Sequence, residues 1–346
     1  MNFSRYKGLA VVAAALFCTP QAALADVNQA EEIAPGVWFH EGDIGRKGHC
    51  NNGWILFDDF VLVVDANFPS GAQVVLPKIR AQTEKPIRFV VDTHHHGDHA
   101  YANQYWQEQG AVIVAHEGVL AEMKRVETGF FGTKPGSWEG VAQQRPDVAQ
   151  SRLRPPGLLF SREMVFTDPH HRVELRHFGV AHTRGDGFAW LPEERILFTG
   201  DACVNGPYNY MGDGHTGDWL TTLENARALK PKVVCPGHGR MGGPEVLDQQ
   251  IAYLKSLRNE VKQLVDARKS AAEVKASVET LRATLREQPQ IGHYVGNMFA
   301  SQVEKVYVEM GGKPFESAQA PAGTKPQRYV PGDDREVVWT RTSARP

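Results

Sequence analysis

A histidine-rich turn constrains the fold of this chain more than any other feature. Residues 93–99 read THHHGDH and follow directly on the apolar run at residues 87–91. A helical pattern begins at His99, which places the turn at the carboxyl end of a buried strand. Open α/β sheets hold their ligand sites at that edge. The pattern therefore predicts a layered α/β domain with a polar site at one edge.

Four side chains of this turn can converge on a small volume: His94, His96, Asp98 and His99. Imidazole and carboxylate groups are good ligands for zinc and iron. Four such groups at this spacing are more typical of a metal site than of isolated polar residues. His95 lies between them and is expected to point the other way, as a structural residue.

The four groups cannot complete two coordination spheres, so a two-metal site needs ligands from later in the chain. Three candidates stand at the ends of strand-like runs and have glycine nearby: His182, Asp201 and His238. Glycine lets the backbone approach a crowded site closely. Each segment alone is a weak signal of a metal site. The three segments in this order after the histidine-rich turn are a strong signal of one.

For other polar residues near these segments the sequence leaves more than one role open. Four residues either orient the histidines by hydrogen bonds or simply cap strand ends: Asp65, Thr93, Thr183 and Thr199. Another four lie on a glycine-rich loop that either lines a pocket or forms an exposed turn: Tyr208, Asn209, Tyr210 and His215. Three further histidines are expected at the surface or in strands: His170, His171 and His177.

The ordered segments resemble the motifs of the metallo-β-lactamase superfamily over about residues 31–239. In that family an aspartate closes a buried strand, a position that Asp65 matches. The resemblance implies an α/β fold, the αββα metallo-β-lactamase sandwich, with a C-terminal helical extension. It implies one metal bound by His94, His96 and His182. It implies a second metal bound by Asp98, His99 and His238, with Asp201 bridging the pair.

The bridging residue bears on the activity that the resemblance implies. Many β-lactamases of the superfamily have cysteine or serine there, whereas Asp201 is similar to the pattern of glyoxalase II-like thioesterases and lactonases. Some members with an aspartate bridge act weakly on β-lactams. The class of acyl substrate therefore stays open.

The resemblance implies an exported dinuclear zinc hydrolase that cleaves an acyl bond in a small molecule with a metal-bridging hydroxide. The bond is an ester, a lactone, a thioester or a β-lactam. Two Zn²⁺ ions per chain are expected, and manganese or iron would suit the same ligands. Asp98 is expected to be catalytic, because it can orient the attacking water or pass its proton on.

Two alternative functions are compatible with the same fold. One is a mononuclear-iron oxidoreductase of sulfur compounds, which would use His94, His182 and Asp201. The other is a non-catalytic metal-binding accessory protein of a periplasmic redox pathway. The number and identity of the bound metals separate the hydrolase from the iron oxidoreductase.

The first 25 residues read as a signal peptide. Arg5 and Lys7 precede an apolar run at residues 9–17, and residues 23–25 read ALA. The run is too short for a transmembrane helix. We expect cleavage after Ala25 and a periplasmic or secreted enzyme without stable membrane insertion; the alternative is a buried N-terminal helix.

Strand and helix patterns continue along the rest of the chain. They predict a first strand at residues 36–40, a buried strand at 61–65, helices at 70–83, 99–110 and 271–286, and a polar, glycine- and proline-punctuated insertion at 118–150.

The chain after the signal peptide also divides by composition. We predict a catalytic domain at residues 26–240, helices packing on it at 241–311, and an extended or disordered tail at 312–346. With 38 basic and 40 acidic side chains the formal net charge is −2. This balance favours a small-molecule substrate over nucleic acid. Three cysteines remain after cleavage, so at least one is free, and the sequence selects no disulfide among Cys50, Cys203 and Cys235.

Overall fold

A computed structural model describes residues 27–127 and 145–315 of the 346-residue chain. The predicted signal peptide lies outside these residues. So do the middle of the glycine- and proline-punctuated insertion expected at residues 118–150, and the tail beyond residue 315. The domain boundaries given above stay predictions.

The first sheet has seven strands in chain order. Its first four strands are antiparallel neighbours, and its last four are parallel neighbours. The unbroken apolar run of β4 is buried on both faces, as its sequence predicts. The strands are β1 (Ala30–Ala34), β2 (Val37–His40), β3 (Asn52–Leu56), β4 (Val61–Val64), β5 (Ile87–Asp92), β6 (Val112–His116) and β7 (Leu158–Phe160).

The second sheet has five strands in the order β12-β11-β10-β9-β8. Its neighbours are antiparallel except for β11 and β12, which are parallel. The strands are β8 (Glu163–Thr167), β9 (Arg172–Arg176), β10 (Phe188–Leu191), β11 (Ile196–Gly200) and β12 (Val233–Pro236).

Helices cover the outer faces of both sheets. Six of those in the described residues precede β12: α1 (Ile44–Lys47), α2 (Pro69–Arg80), α3 (Gly97–Ala100), α4 (Asn103–Glu108), α5 (Glu117–Glu127) and α6 (Thr216–Arg227). Four follow it: α7 (Glu245–Asp266), α8 (Ala271–Ala276), α9 (Val278–Arg286) and α10 (Phe299–Glu309). None of the helices in the described parts of the chain has both the length and the apolar character needed to cross a membrane.

Three apolar layers hold the sheets and helices together. Residues of both sheets, such as Leu62 and Phe198, interdigitate in the central layer. The buried face of α2 packs with Trp54 and Trp106 on the outside of the first sheet. On the outside of the second sheet, α6, α7 and α10 share one cluster around Trp219. This order of layers is the predicted αββα sandwich with C-terminal helices.

Several predicted elements differ in detail from those observed. The strand expected first, at residues 36–40, is the second, because the exposed edge strand β1 precedes it. The single helix expected at 99–110 is two short ones, α3 and α4. The polar insertion expected from residue 118 begins as a helix, since α5 starts at Glu117. The helix expected at 70–83 is confirmed as α2 in spite of Pro77.

Candidate metal centre

Strand ends deliver most of the predicted metal ligands to one edge of the sandwich. The histidine-rich turn follows β5, Asp201 follows β11 directly, and His238 comes two residues after β12. His182 lies in the loop between β9 and β10. Parallel neighbours end at the same edge, which is why residues so distant in sequence meet there.

The first cluster consists of three buried imidazoles, His94, His96 and His182. One ring nitrogen of each lies within 4.8 Å of the others. His182 Nε2 is 2.8 Å from His96 Nδ1. His94 Nε2 is buried and makes no hydrogen bond among the described residues. A buried, unsatisfied nitrogen facing two other imidazoles fits a metal ligand.

The second cluster consists of Asp98, His99 and His238, whose ligand atoms also lie within 4.8 Å of one another. His238 Nε2 is 3.0 Å from Asp98 Oδ2. His99 Nε2 is 3.6 Å from the same oxygen. The structure therefore brings together the three residues that the family resemblance assigned to the second metal.

Asp201 stands between the two clusters. Its Oδ1 is 3.3 Å from His99 Nε2, and its Oδ2 is 3.3 Å from His238 Nε2. The same Oδ2 is 3.6 Å from His182 Nε2, in the other cluster. All seven predicted side chains thus converge, with Asp201 at the predicted bridging position; that each of them binds a metal stays a prediction.

Burial and charge separate the two clusters electrostatically. Burial and the neighbouring His99 keep the pKa of His94 well below its ordinary value. Burial and His96 lower the pKa of His182 to about 3. Burial opposes charge on His238 as well, yet Asp201 and Asp98 raise its pKa to about 9. His94 and His182 are therefore neutral in the first cluster, and ionised groups dominate the second.

Asp65 contacts the second cluster through His99, and Thr93 holds Asp65 by hydrogen bonds. Asp65 Oδ2 is 2.9 Å from His99 Nδ1. Thr93 donates to Asp65 Oδ1 from its backbone N at 2.9 Å and from its hydroxyl at 2.7 Å. Asp65 also has a φ of 66°, a backbone conformation that aspartate tolerates better than most residues. Thr93 Oγ1 also lies 3.2 Å from His94 Nδ1, so both residues contact histidines of the site; that they orient those histidines stays a prediction.

The hydroxyls of Thr183 and Thr199 contact neighbouring groups rather than the histidines. Thr183 lies in the loop between β9 and β10, not at a strand end, and Thr199 is the penultimate residue of β11. The Thr183 hydroxyl donates to Asp186 Oδ1 at 3.0 Å. The Thr199 hydroxyl donates to the carbonyl oxygen of Gly200 at 2.9 Å. Neither hydroxyl forms a hydrogen bond with a histidine in these contacts.

Two supporting residues of the first cluster were not predicted in this role. Asp213 Oδ2 is 3.0 Å from His96 Nε2, the ring nitrogen that faces away from the cluster. The carbonyl oxygen of Tyr210 is 2.8 Å from His182 Nδ1. Asp213 lies between two glycines in a loop without periodicity, so the sequence offers no signal for it. Tyr210 was expected as a pocket residue, and it acts here through its backbone.

The other residues of that loop take different positions. The Tyr208 ring is 6.0 Å from the His238 ring, beside the second cluster. Asn209 is buried and faces the C-terminal helices. His215 is the N-cap of α6 and accepts from the backbone N–H of Asp218. Only part of the loop therefore adjoins the metal centre.

A second buried network under the site was also missed. Asn52 Nδ2 donates to the carbonyl oxygen of Asp65 at 2.6 Å, and Asn67 Nδ2 donates to Asn52 Oδ1 at 2.8 Å. These amides fix the backbone that carries Asp65. Asparagines are common in turns, so their residue type alone does not reveal this role.

The remaining predicted histidines and cysteines lie outside the two clusters. His95 is buried with its Nε2 4.0 Å from Asp213 Oδ2, beside the outer nitrogen of His96. His171 was expected at the surface or in a strand, and this was wrong: it is buried just before β9, with Nδ1 3.1 Å from Glu194 Oε1. His170 is exposed and His177 is half-buried. The described cysteines are all free and buried: Cys50, Cys203 and Cys235.

Comparisons with known proteins agree with this fold. The sequence model of the metallo-beta-lactamase superfamily matches residues 45–238, which is more than half of the chain. The protein belongs to the metallo-β-lactamase superfamily.

The relatives are distant in sequence. The chain is 25% identical over 202 residues to a metallo-beta-lactamase type 2 of Bacteroides fragilis, covering 57% of this chain and 75% of that one. It is 25% identical over 180 residues to a beta-lactamase-like protein 2 homolog of Caenorhabditis elegans, covering 51% of this chain. It spans only about half of that relative's length, 52%.

Solved structures share the fold. A metallo-beta-lactamase from Pontibacter korlensis superposes with a TM-score of 0.53 at 19% identity, covering 66% of this chain and 98% of that one. The DIM-1 metallo-beta-lactamase superposes with a TM-score of 0.52 at 18% identity, covering 66% of this chain and 97% of that one. At such identities the likeness concerns the fold alone.

Proposed function

We propose that this protein is a dinuclear zinc hydrolase that cleaves an acyl bond in a small molecule. The observation that carries the proposal is the position of Asp201 between two clusters of nitrogen and oxygen donors. One carboxylate that faces both clusters is suited to a pair of cations, which a single-metal site would not need.

The assignment of ligands follows the two clusters. His94, His96 and His182 would hold one ion, and Asp98, His99 and His238 would hold the other, with Asp201 shared. Imidazole and carboxylate donors suit zinc, and the same donors would also bind manganese or iron. A bound pair of such ions lowers the pKa of water and polarises a carbonyl group.

Asp98 differs from the other donors in its access to solvent. Its side chain is 20% exposed, whereas those of His99 and Asp201 are 0% and 7% exposed. Burial opposes ionisation, but His99 and His238 hold the pKa of Asp98 at about 2. A solvent-facing carboxylate that stays ionised at neutral pH can accept a proton from an attacking water. This supports a catalytic role for Asp98.

The class of acyl substrate rests on two considerations that point in different directions. A relative at 25% identity is a metallo-beta-lactamase type 2, which favours a β-lactam. The aspartate at position 201 favours esters, lactones and thioesters, the substrates of aspartate-bridged relatives. The proposal is therefore an acyl hydrolase, and a substrate panel must choose among these bonds.

Elemental analysis of the purified protein, paired with a substrate panel, tests the proposal. We expect two zinc ions per chain and hydrolysis of at least one of nitrocefin, a lactone and a glutathione thioester. An Asp201→Ala variant is expected to retain at most one ion and no turnover. One iron per chain without hydrolysis would contradict the proposal and favour the sulfur-compound oxidoreductase instead.

Export is a separate part of the proposal. The basic and apolar pattern of residues 1–25 supports it. N-terminal sequencing of the protein recovered from the periplasm or medium should begin at Asp26. Recovery of the intact chain from the cytoplasm alone would contradict export without affecting the metal chemistry.

A further inference from the structure

We infer that helix α10 positions the His96–His182 half of the metal centre through Gln302 and Lys305. These two residues hold the loop at residues 205–215, and the loop in turn holds the outer nitrogens of the two imidazoles. The inference rests on the proposed function to the extent that His96 and His182 bind a metal.

The loop contacts each imidazole at the nitrogen that faces away from the first cluster. The Tyr210 carbonyl oxygen lies 2.8 Å from His182 Nδ1, and Asp213 Oδ2 lies 3.0 Å from His96 Nε2. A partner at one ring nitrogen fixes the tautomer and the orientation of the whole ring. The position of this loop therefore decides where the inner nitrogens point.

Gln302 holds the loop next to Tyr210. Its Nε2 donates to the carbonyl oxygen of Asn209 at 2.6 Å, and its Oε1 accepts from the Tyr253 hydroxyl. Gln250, on α7, donates to the Asn209 side chain at 2.6 Å. All four residues of this chain of contacts are buried. A buried carbonyl group without a hydrogen-bond donor is unfavourable, so these contacts hold the loop in this position.

Lys305 and Glu309 hold the loop further along. Lys305 Nζ donates to the carbonyl oxygen of Gly212 at 3.2 Å, one residue before Asp213. The Glu309 carboxylate accepts from the backbone N–H of Thr216 at 3.1 Å. Residues 302, 305 and 309 lie on one face of a helix, so a single rigid element contacts the loop at two points and the first residue of α6 at a third.

The same helix contributes to the apolar core with other side chains. Phe299, Val303 and Val306 are fully buried in the cluster outside the second sheet. Packing and positioning therefore belong to different residues of α10, and substitutions can separate them. Val303→Ala removes only core packing, and it serves as the matched control for Gln302→Met.

Cobalt-loaded protein provides the test, because the absorption spectrum of Co²⁺ reports ligand geometry independently of turnover. We expect Gln302→Met to shift this spectrum and to weaken metal binding in a chelator competition, by at most the about 10–100-fold cost of losing an outer hydrogen-bond partner of the ligand itself. Val303→Ala should lower the thermal unfolding temperature but keep the wild-type spectrum and affinity.

Lys305→Met provides a second variant in case Gln302→Met does not fold. Lys305 is half-exposed, so its loss should cost little stability, while the spectrum still shifts through Asp213 and His96. Wild-type spectra and affinities in both variants would overturn the inference. If the wild-type protein binds two ions but hydrolyses nothing, the proposed function is contradicted. The comparison of metal binding among the variants remains valid in that case.

Discussion

Asp98 is the one donor of the metal centre with appreciable access to solvent, and its role can be tested by removing its carboxylate. We expect Asp98→Ala to fold and to lose about 10²–10⁴-fold in kcat, the usual contribution of a general base. Steady-state kinetics with the substrate found in the panel, together with circular dichroism, would measure this.

Asp59→Ala is the matched control for Asp98→Ala, because Asp59 is exposed in the turn between β3 and β4. It should keep the wild-type rate. A folded Asp98→Ala variant with near wild-type turnover would refute the catalytic role.

Metal binding should depend on pH through His238. In the metal-free protein its pKa is about 9, because Asp201 and Asp98 stabilise its charged form against burial. A metal must displace that proton, so the apparent affinity should rise with pH between 6 and 8.5. Titration calorimetry in buffers of different ionisation enthalpy should also detect proton release, whereas a flat affinity without release would contradict this reading.

Sequence predicted the convergence of the candidate ligands better than it predicted their supporting partners. His94, His96, Asp98 and His99 could be found because several metal-binding residue types occur together after a buried strand. Asp213 and the paired Asn52 and Asn67 could not, since a hydrogen bond to a distant group leaves no local pattern. Their roles depend on loops that only the assembled fold brings together.

At the scale of elements, prediction succeeded where burial dominates. The strand β4 is apolar throughout and was predicted within one residue. The edge strand β1 is exposed at two of its five positions and reads AEEIA, which carries neither alternation nor an apolar run. The long helix predicted at 271–286 breaks at Ser277 into α8 and α9, and serine does not distinguish a break from an exposed helical position.

The turn after β12 leaves no space for a side chain at Gly237. A Cβ there would lie 2.1 Å from Asp201 Oδ1 and 2.6 Å from the carbonyl carbon of Gly200. We expect Gly237→Ala to lower the free energy of unfolding by about 1–3 kcal/mol. It should also abolish binding of at least one ion, because Asp201 must move. Denaturant unfolding and metal analysis would measure the two effects.

Gly45→Ala is the control for Gly237→Ala. A Cβ at Gly45 meets nothing within 4 Å, and the residue lies inside α1. Alanine is favoured over glycine in a helix, so this variant should be as stable as the wild type or more so. Equal metal content in both variants would show that the close approach at Gly237 is not needed for metal binding.

At the scale of the whole molecule, the metal centre joins segments from both sheets. Bound ions should therefore stabilise the native state, since one site occupied at 100 times its Kd adds about 2.7 kcal/mol. Removal of metal with a chelator should lower Tm by several degrees. For domains of 150–250 residues, Tm falls by about 2–4 °C for each kcal/mol lost from the free energy of unfolding.

Differential scanning calorimetry before and after chelation would measure the change in Tm, and readdition of Zn²⁺ should reverse it. An unchanged Tm would mean that the clusters hold no ion in the folded protein. Among the C-terminal helices, α10 is expected to respond most, because Gln302 and Lys305 contact the loop at residues 205–215.

The overall architecture could be predicted because strand and helix patterns alternate along the chain. The contacts between α10 and the loop at 205–215 could not be predicted, because Gln302 reads as an ordinary polar position on an amphipathic helix. Its partner Asn209 lies 93 positions away. Helical periodicity identifies a buried face but not the carbonyl group that a buried amide will meet.

The position of Asp201 has a consequence for how the centre fills. One carboxylate offers an oxygen to His182 on one side and to His99 and His238 on the other. A first cation would take part of a charge that a second would also require, yet it would draw Asp201 into place for both. If both positions bind metal, their occupancies are expected to be thermodynamically linked, and a metal titration should not be described by two independent, equal sites.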